Sequence, residues 1–232
     1  MKLHRFSYYR IILEYYKALF NRSLKNKMKK ILSYNENNLN LRKVREYTML
    51  SFKEYKSTGY YKYMLGRYLS ALNFCQNKRV LDTGCGLGWG PYLIADYCSH
   101  ITGIDKDEDA ITFAKNNWKS KNLEFLKGSF LNLSSFLRKG YDVVLGMETI
   151  EHNTYENGKK YLQEIDCVLK RKGILILTSI FPDSEKKAEM IRKENPHHLH
   201  IFTKKEITSI LSEIGCYKSS FKADLMLTAK KL

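Results

Sequence analysis

One stretch, residues 79–91, constrains the fold of this chain more than any other. It reads RVLDTGCGLGWGP, with an apolar run first and then glycines at 84, 86 and 88. The run from Val80 to Thr83 predicts a short buried strand, and Pro91 favours the first turn of a helix, where a missing N–H removes no hydrogen bond. Glycines allow a sharp turn and let a ligand approach the backbone, because they have no Cβ. The dinucleotide fingerprint fails, since Trp89 stands where its third glycine belongs. The stretch indicates either another kind of ligand cradle or an incidental turn.

From residue 79 onward, strand and helix patterns alternate, which is typical of a parallel sheet covered on both faces. Strands are predicted over 80–83, 101–105, 123–126, 141–145 and 174–179, and helices over 91–97, 108–118, 158–169 and 204–213. An irregular stretch, 181–202, contains a short predicted helix at 186–192. Two closing strands, 216–221 and 224–229, form an antiparallel pair. The expected fold is α/β, a doubly wound and mostly parallel Rossmann-like sheet with an antiparallel C-terminal strand.

The first 78 residues have a different pattern, with helices and no predicted strand. Apolar side chains at three-and-four spacing predict a helix over 3–20, and further helices are expected over 24–32, 42–56 and 60–74. A turn is expected at 35–38. We therefore expect a helical N-terminal cap or lid over residues 1–78. It is expected to cover the carboxyl edge of the sheet in a second domain, residues 79–232.

Positive charge is concentrated in the N-terminal third. The chain has a formal net charge of +16, from 40 Lys and Arg against 24 Asp and Glu. Residues 1–79 contain 18 of the basic and four of the acidic residues, a balance of +14, and the remainder carries only +2. Such a distribution favours an anionic partner, for example RNA, a phosphorylated small molecule or a membrane surface. The alternative is a general bias toward Lys, Asn, Ile and Tyr, which predicts no partner.

The cysteines and the hydropathy favour a cytoplasmic protein. Five cysteines, at 75, 85, 98, 167 and 216, form no Cys-x-x-Cys pair, which favours reduced thiols. No apolar run approaches the ~20 residues that cross a bilayer. The first residues lack the apolar core of a signal peptide, because Glu14 and Lys17 interrupt it.

Several sequence blocks share their order and register with one known family. The blocks are 80–86, 103–105, 141–144, 147–152, 169–175 and 196–206. The first is a strand followed by Asp-x-Gly-x-Gly, and the second is a strand that ends in an aspartate. Together they resemble the class I S-adenosylmethionine (SAM) methyltransferases, in particular those that methylate small molecules such as sugars or quinone precursors.

The resemblance implies SAM as the cofactor and a set of residues around it. Asp105, which ends the second strand, is expected to accept hydrogen bonds from both ribose hydroxyls. The family usually has Gly-Asp after the third strand, whereas this chain has Gly128-Ser129, so Ser129 and Phe130 are expected to meet the adenine. Arg67 is expected to meet the methionine carboxylate, and a solvated helix-face arginine is the alternative. The expected set is Arg67, Asp82, Gly84, Cys85, Gly86, Gly88, Asp105, Lys106, Ser129, Phe130, Met147 and Glu148.

Carboxylates and imidazoles are expected beside the methyl acceptor. Glu148, Glu151 and His152 follow the fourth strand, in a Glu-x-x-Glu-His pattern that resembles RNA 3′-end 2′-O-methyltransferases and some quinone-pathway enzymes. With an imidazole from His197, His198 or His200, this pattern offers two carboxylates and two imidazoles, a set that suits a divalent metal. The spacing across two loops is unconstrained, so we favour a base over a metal. We predict that His152 and His197 face one another across the acceptor site, with Glu151 as the third catalytic residue. For His198 and His200, a surface histidine is the alternative.

The sequence therefore predicts a SAM-dependent methyltransferase that acts on an oxygen of a small-molecule acceptor, such as a sugar or a phosphorylated metabolite. An RNA methyltransferase that uses the basic N-terminal third is the first alternative, although no RNA-binding module is recognisable. A SAM-binding protein without catalysis is the second. The sequence predicts neither the identity of the acceptor nor the oligomeric state.

Overall fold

A computed structural model describes residues 2–33, 59–222 and 224–232, with only the backbone of residues 2–8. The strands of these residues are β1 Arg79–Thr83, β2 His100–Asp105, β3 Leu123–Lys127, β4 Tyr141–Met147, β5 Leu169–Thr178, β6 Tyr217–Lys222 and β7 Met226–Lys231. They form one seven-stranded sheet in the order β3-β2-β1-β4-β5-β7-β6. β1 to β5 are parallel, and β7 is antiparallel to both β5 and β6. The predicted mostly parallel sheet with an antiparallel C-terminal strand is confirmed.

Helices cover both faces of the sheet. In the described part of the chain they are α1 Lys2–Ala18, α2 Arg22–Leu32, α3 Tyr60–Cys75, α4 Trp89–Ile94, α5 Glu108–Asn117, α6 Tyr155–Val168, α7 Glu185–Glu194 and α8 Lys204–Ile214. Alternate residues of a strand face opposite layers. Val80 accordingly belongs to one apolar core with α4 and α5, whereas Leu81 belongs to another with α6 and α8. This arrangement confirms the doubly wound fold.

Two of the element boundaries that differ from the prediction have a clear physical reason. β5 begins at Leu169 rather than at 174, because Tyr141 pairs with Leu169 and Val143 pairs with Ile174, so that residues 170–173 form a bulge. The bulge residues 170–172 are charged and exposed, which is why they resemble a turn in the sequence. α4 begins at Trp89, two residues before Pro91, because Gly88 already ends the turn in the left-handed region, at φ 77°.

The N-terminal helices share the core of the sheet. Ile11, Leu24 and Met28 are buried in the same apolar cluster as Val80. α1 crosses α3 so closely that a Cβ on Gly66 would lie 2.4 Å from the carbonyl oxygen of Ile11. The predicted helix at 42–56 and the predicted turn at 35–38 lie outside the described residues. The division of the chain at residue 78 stays a prediction.

Two further observations concern the cysteines and the helix lengths. All five cysteines are free thiols, with Cys75, Cys85 and Cys98 buried and Cys167 and Cys216 exposed. Within the described ranges, no helix combines the length and the apolarity that crossing a bilayer requires.

Candidate active site

The glycine turn after β1 forms a backbone cradle at the carboxyl edge of the sheet. Gly84, Gly86 and Gly88 all have left-handed φ angles, of 72°, 52° and 77°. At Gly88 a Cβ would lie only 2.6 Å from the Cβ of Ala114. The N–H of Cys85 donates to the carbonyl of Ile104 at 2.9 Å, which ties the turn to β2. Both the φ angle and the close neighbours at residue 88 therefore require glycine.

Asp105 ends β2 beside this cradle. It is 6% exposed, and its Oδ2 accepts from the N–H of Gly86 at 2.9 Å. Its Oδ1 accepts from the N–H of Asp107 at 3.0 Å. An ionised carboxylate offers about four lone-pair sites, so Asp105 retains acceptor capacity toward a ligand's hydroxyls. Lys106 follows with an exposed side chain.

Asp82 lies in the middle of the edge and is fully buried. The hydroxyl of Tyr68 donates to its Oδ2 at 2.9 Å, whereas its Oδ1 has no hydrogen-bond partner. Burial raises the pKa of Asp82 to about 8; the hydrogen bond from Tyr68 opposes this shift, and the charge of Asp105 adds to it. A cationic group that reached Oδ1 would stabilise the ionised carboxylate.

Arg67 and Glu148, both expected at the cofactor, contact each other directly. Arg67 of α3 is 2% exposed, and its Nη1 lies 2.8 Å from Oε1 of Glu148. The alternative of a solvated arginine on a helix face is therefore wrong. Glu148 has a left-handed φ of 54°, and its N–H donates to the carbonyl of Thr178 at 2.9 Å. Neither Arg67 Nη1 nor Glu148 Oε1 makes a well-aligned hydrogen bond.

Three other expected residues lie at the ends of β3 and β4. Ser129 accepts from the N–H of Leu131 at 3.2 Å and opens a 3₁₀ turn, Phe130–Ser135. The ring of Phe130 packs on Tyr161, with 4.8 Å between the ring centroids. Met147 is 6% exposed at the end of β4. The hydroxyl of Ser129 therefore already has a structural partner, which sequence alone did not indicate.

Glu151 is a buried carboxylate in the 3₁₀ turn Ile150–His152, just after β4. It is 2% exposed. Burial raises its pKa, and the charge of His152 and a hydrogen bond from Ser179 oppose that shift. Its Oε2 has no hydrogen-bond partner. Its backbone carbonyl accepts from the N–H of Leu199 at 2.9 Å, so the turn holds the segment before α8 against it.

The prediction that His152 and His197 face one another requires a correction. Nδ1 of His152 lies 3.1 Å from the backbone carbonyl oxygen of His197, and the side chain of His197 is exposed. The imidazole that packs on His152 belongs to His198, with 5.5 Å between the ring centroids. In an irregular segment, neighbouring side chains point in different directions, so the sequence could not identify which histidine turns inward.

His198 is the imidazole that the predicted facing pair left out. It is half-buried, and one ligand-type atom each from Glu151, His152 and His198 lies within 4.8 Å of the others. Burial lowers the pKa of His198, and the charges of His152 and His197 lower it further. His200, by contrast, pairs with Glu206 at 3.0 Å, next to the N-terminus of α8.

Comparisons with known proteins agree on a family. Residues 75–215 match the model of a family described as "Methyltransferase domain". A phosphoethanolamine N-methyltransferase of Plasmodium falciparum is 28% identical over 113 residues, which cover 48% of this chain and 42% of that protein. A fatty-acid O-methyltransferase of Mycolicibacterium smegmatis is 33% identical over 109 residues, covering 46% and 39%. These matches span less than half the length of the two relatives.

A solved structure supports the fold. The SAM-bound form of an amino pentose methyltransferase from Micromonospora echinaspora, involved in calicheamicin biosynthesis, has a TM-score of 0.60. It is 12% identical and covers 81% of this chain and 100% of its own. At that identity the likeness shows the fold alone. Because the family model matches more than half of the chain, the protein belongs to the methyltransferase-domain family of class I, whose methyl donor is SAM.

Proposed function

We propose that this protein transfers a methyl group from SAM to an oxygen atom of a small-molecule acceptor. SAM supplies an electrophilic methyl group on a sulfonium sulfur. The acceptor oxygen therefore has to approach in line with the S–CH₃ bond and lose its proton. The observation that carries the proposal is the pairing, along one sheet edge, of a glycine cradle with a cluster of titratable side chains.

The residues of the cradle fit this cofactor. Asp105 has acceptor capacity for the two ribose hydroxyls, and the buried, unpartnered Oδ1 of Asp82 suits an ammonium group. Arg67 suits the methionine carboxylate, because its Nε and Nη1 lack aligned acceptors. The remaining residues proposed to surround the cofactor are Gly84, Cys85, Gly86, Gly88, Lys106, Ser129, Phe130, Met147 and Glu148.

His152 is the side chain on which we propose that loss of the acceptor's proton depends. A carbonyl oxygen only accepts, so the contact with the His197 carbonyl places the proton of a neutral His152 on Nδ1. Its Nε2 then has a free lone pair, as deprotonation of a hydroxyl requires. The larger contribution comes from holding the acceptor close and in line. In this proposal, Glu151 and the His197 carbonyl hold the imidazole of His152 in position.

Two features favour an oxygen atom as the acceptor. An alcohol needs a group that removes its proton, and we propose His152 for that part; a fatty-acid O-methyltransferase is also among the relatives. We further propose that residues 1–78 form a cap over the acceptor, because Arg67 and Tyr68 of α3 reach the functional edge. The cytoplasmic location stays a prediction.

RNA is the second candidate acceptor, because the N-terminal third carries a balance of +14. Arg22, Lys25 and Lys29 of α2 are exposed. Part of this charge nevertheless has a structural partner, since Nζ of Lys27 lies 2.8 Å from Asp96. Binding of RNA through phosphates would weaken steeply with salt.

Transfer of a labelled methyl group from SAM into a fractionated cell extract tests the proposal. We expect label in a low-mass fraction that resists nuclease, and less label at the same SAM concentration from an Asp105→Ala enzyme, whose affinity for the cofactor is expected to be weaker. Label confined to nuclease-sensitive material would favour RNA. Labelling by neither route, from a protein that binds S-adenosylhomocysteine, would indicate a SAM-binding protein without catalysis.

A further inference from the structure

We propose that Glu151, His152 and His198 bind one divalent metal ion beside the acceptor. The three side chains come from two segments, the turn after β4 and the stretch before α8. The N–H groups of Leu199 and His200 hold these segments together by donating to the carbonyl of Glu151, at 2.9 and 3.4 Å. The backbone therefore brings together the buried Glu151, the half-buried His198 and the exposed His152.

Two atoms of the cluster lack partners although they are buried. Oε2 of Glu151 and Nδ1 of His198 make no hydrogen bond with any residue that the structure describes, and Glu151 is 2% exposed. Buried polar groups are normally paired, because an unpaired one costs its full desolvation. One cation between a carboxylate oxygen and an imidazole nitrogen would satisfy both atoms. A lone general base at His152 would leave both unexplained.

The spacing suits a first-row metal ion. The three ligand-type atoms lie within 4.8 Å of one another. Imidazole nitrogen and carboxylate oxygen lie about 2.0–2.2 Å from Zn²⁺, so two ligand atoms of a tetrahedral ion are about 3.3–3.6 Å apart. Side-chain rotations that shorten the separations by up to about 1.5 Å would therefore close the site.

His152 is already oriented as a metal ligand. Its Nδ1 meets the carbonyl oxygen of His197 at 3.1 Å, and metal-bound histidines commonly donate their second N–H to a carbonyl or carboxylate. This contact leaves Nε2 free to bind the ion. The exposed His197 side chain has no part in it.

The ligand set points to a zinc-like ion with an open position. Two imidazoles and one carboxylate suit Zn²⁺ and similar ions better than Mg²⁺, which prefers oxygen ligands. Three protein ligands leave the fourth tetrahedral position for water or a substrate oxygen. This role rests on the proposed function and changes the part that His152 plays, because Nε2 cannot bind the ion and accept the proton. A hydroxyl bound to the ion would lose its proton to solvent, since the ion's charge stabilises the oxyanion.

Asn195 provides a specific control. Its Oδ1 accepts from the N–H of His197, and its Nδ2 lies 3.0 Å from Nε2 of His198. In the metal-free protein this contact keeps the proton of neutral His198 on Nδ1. Coordination through Nδ1 moves the proton to Nε2, which then needs an acceptor. In the wild type, the amide of Asn195 would have to rotate to turn its oxygen toward Nε2 of His198. Asn195→Asp places a carboxylate oxygen there without such a rotation.

Titration of the full chain with Co²⁺ tests the proposal, with visible absorption reporting coordination and calorimetry reporting stoichiometry. We expect one Co²⁺ per chain, which Zn²⁺ displaces. Glu151→Gln and His198→Ala should each weaken binding by more than about tenfold, and Asn195→Asp should strengthen it by roughly tenfold, the low end of outer-shell effects. His100→Ala should leave Co²⁺ binding unchanged. His100 lies at the start of β2, at the opposite edge of the sheet, where it pairs with Glu124.

Binding of S-adenosylhomocysteine separates this proposal from the proposed function. Variants that keep wild-type affinity for that ligand are folded, so a change in Co²⁺ binding then concerns the metal site alone. The absence of saturable Co²⁺ binding in a protein that binds S-adenosylhomocysteine would overturn the metal proposal and leave the methyltransferase proposal standing. Equal Co²⁺ affinity in wild type and His198→Ala would overturn it too.

Discussion

The two halves of the functional edge differ in how their polar atoms are paired. We define the cofactor half as the 84–88 turn and Asp105. Here both carboxylate oxygens of Asp105 already accept hydrogen bonds from backbone N–H groups. In the acceptor half, defined as Glu151, His152 and His198, two buried atoms have no hydrogen-bond partner within the described ranges of the chain. The first half is built locally by backbone conformation. The second joins side chains from distant segments and leaves bonds that a ligand has to complete.

Replacing His152 is expected to have the largest effect of the changes considered. It should lower turnover without changing cofactor affinity, and so distinguish the two halves. His152→Ala should lower turnover on the order of 10²–10⁴-fold, whether the lost group accepts the proton or holds an ion. Affinity for S-adenosylhomocysteine should stay at the wild-type value, since the cofactor half is untouched. Kinetics with the labelled methyl group, beside calorimetry, measures both. Full turnover in this variant would show that His152 takes no part in the reaction.

Two glycines with the same backbone conformation test how tightly the turn of the cofactor half is packed, since one lies in that turn and the other lies outside it. Gly88 and Gly59 have φ angles of 77° and 72°. A Cβ at residue 59 meets nothing within 4 Å, whereas one at 88 overlaps Ala114 and Phe125. Gly59→Ala should lower the free energy of unfolding by about 1–2 kcal/mol, the left-handed cost. Gly88→Ala should cost about 2–5 kcal/mol, because overpacking adds to it. Urea unfolding measures the difference, and equal losses would contradict the packing argument.

Asp82 lies between the halves, and its ionisation should make cofactor binding depend on pH. Burial raises its pKa to about 8, so below that pH most of the free protein has a neutral carboxyl group. An ammonium group at Oδ1 favours the ionised form, and binding therefore releases a proton. Affinity for S-adenosylhomocysteine should rise between pH 6 and pH 8, approaching tenfold per pH unit. Calorimetry across this range measures it.

The matched control for this prediction is Asp82→Asn. The amide cannot ionise, so we expect weaker binding with a nearly flat pH profile over the same range. A pH dependence that survived in Asp82→Asn would assign the proton to another group.

How much could be predicted from the sequence also differs between features built by local backbone conformation and features that join distant segments. The glycine turn and Asp105 could be found because strand, turn and acidic residue lie within about one βαβ unit, where local patterns determine the backbone. Local sequence also determines the start of α5, where the side chain of Asp107 accepts from the N–H of Ala110 three residues later.

Contacts between distant segments could not be predicted in the same way. Arg67 and Glu148 meet only when α3 packs against the end of β4, and no local pattern records that packing. His198 was misjudged in favour of His197, because a segment without helical or strand periodicity gives no rule for which side chain turns inward. The bulge in β5 was missed because its exposed basic residues have the composition of a turn.

Calorimetric titration of S-adenosylhomocysteine into wild type, Asp105→Ala and His152→Ala tests the central claim most directly. That claim is that the cofactor half binds the SAM nucleoside independently of the acceptor half. We expect one site in wild type and an unchanged affinity in His152→Ala. In Asp105→Ala, affinity should be weaker by about 1–3 kcal/mol, roughly 5–150-fold, because ribose hydroxyls lose their acceptor. No binding to wild type, or equal affinity in wild type and Asp105→Ala, would contradict the account.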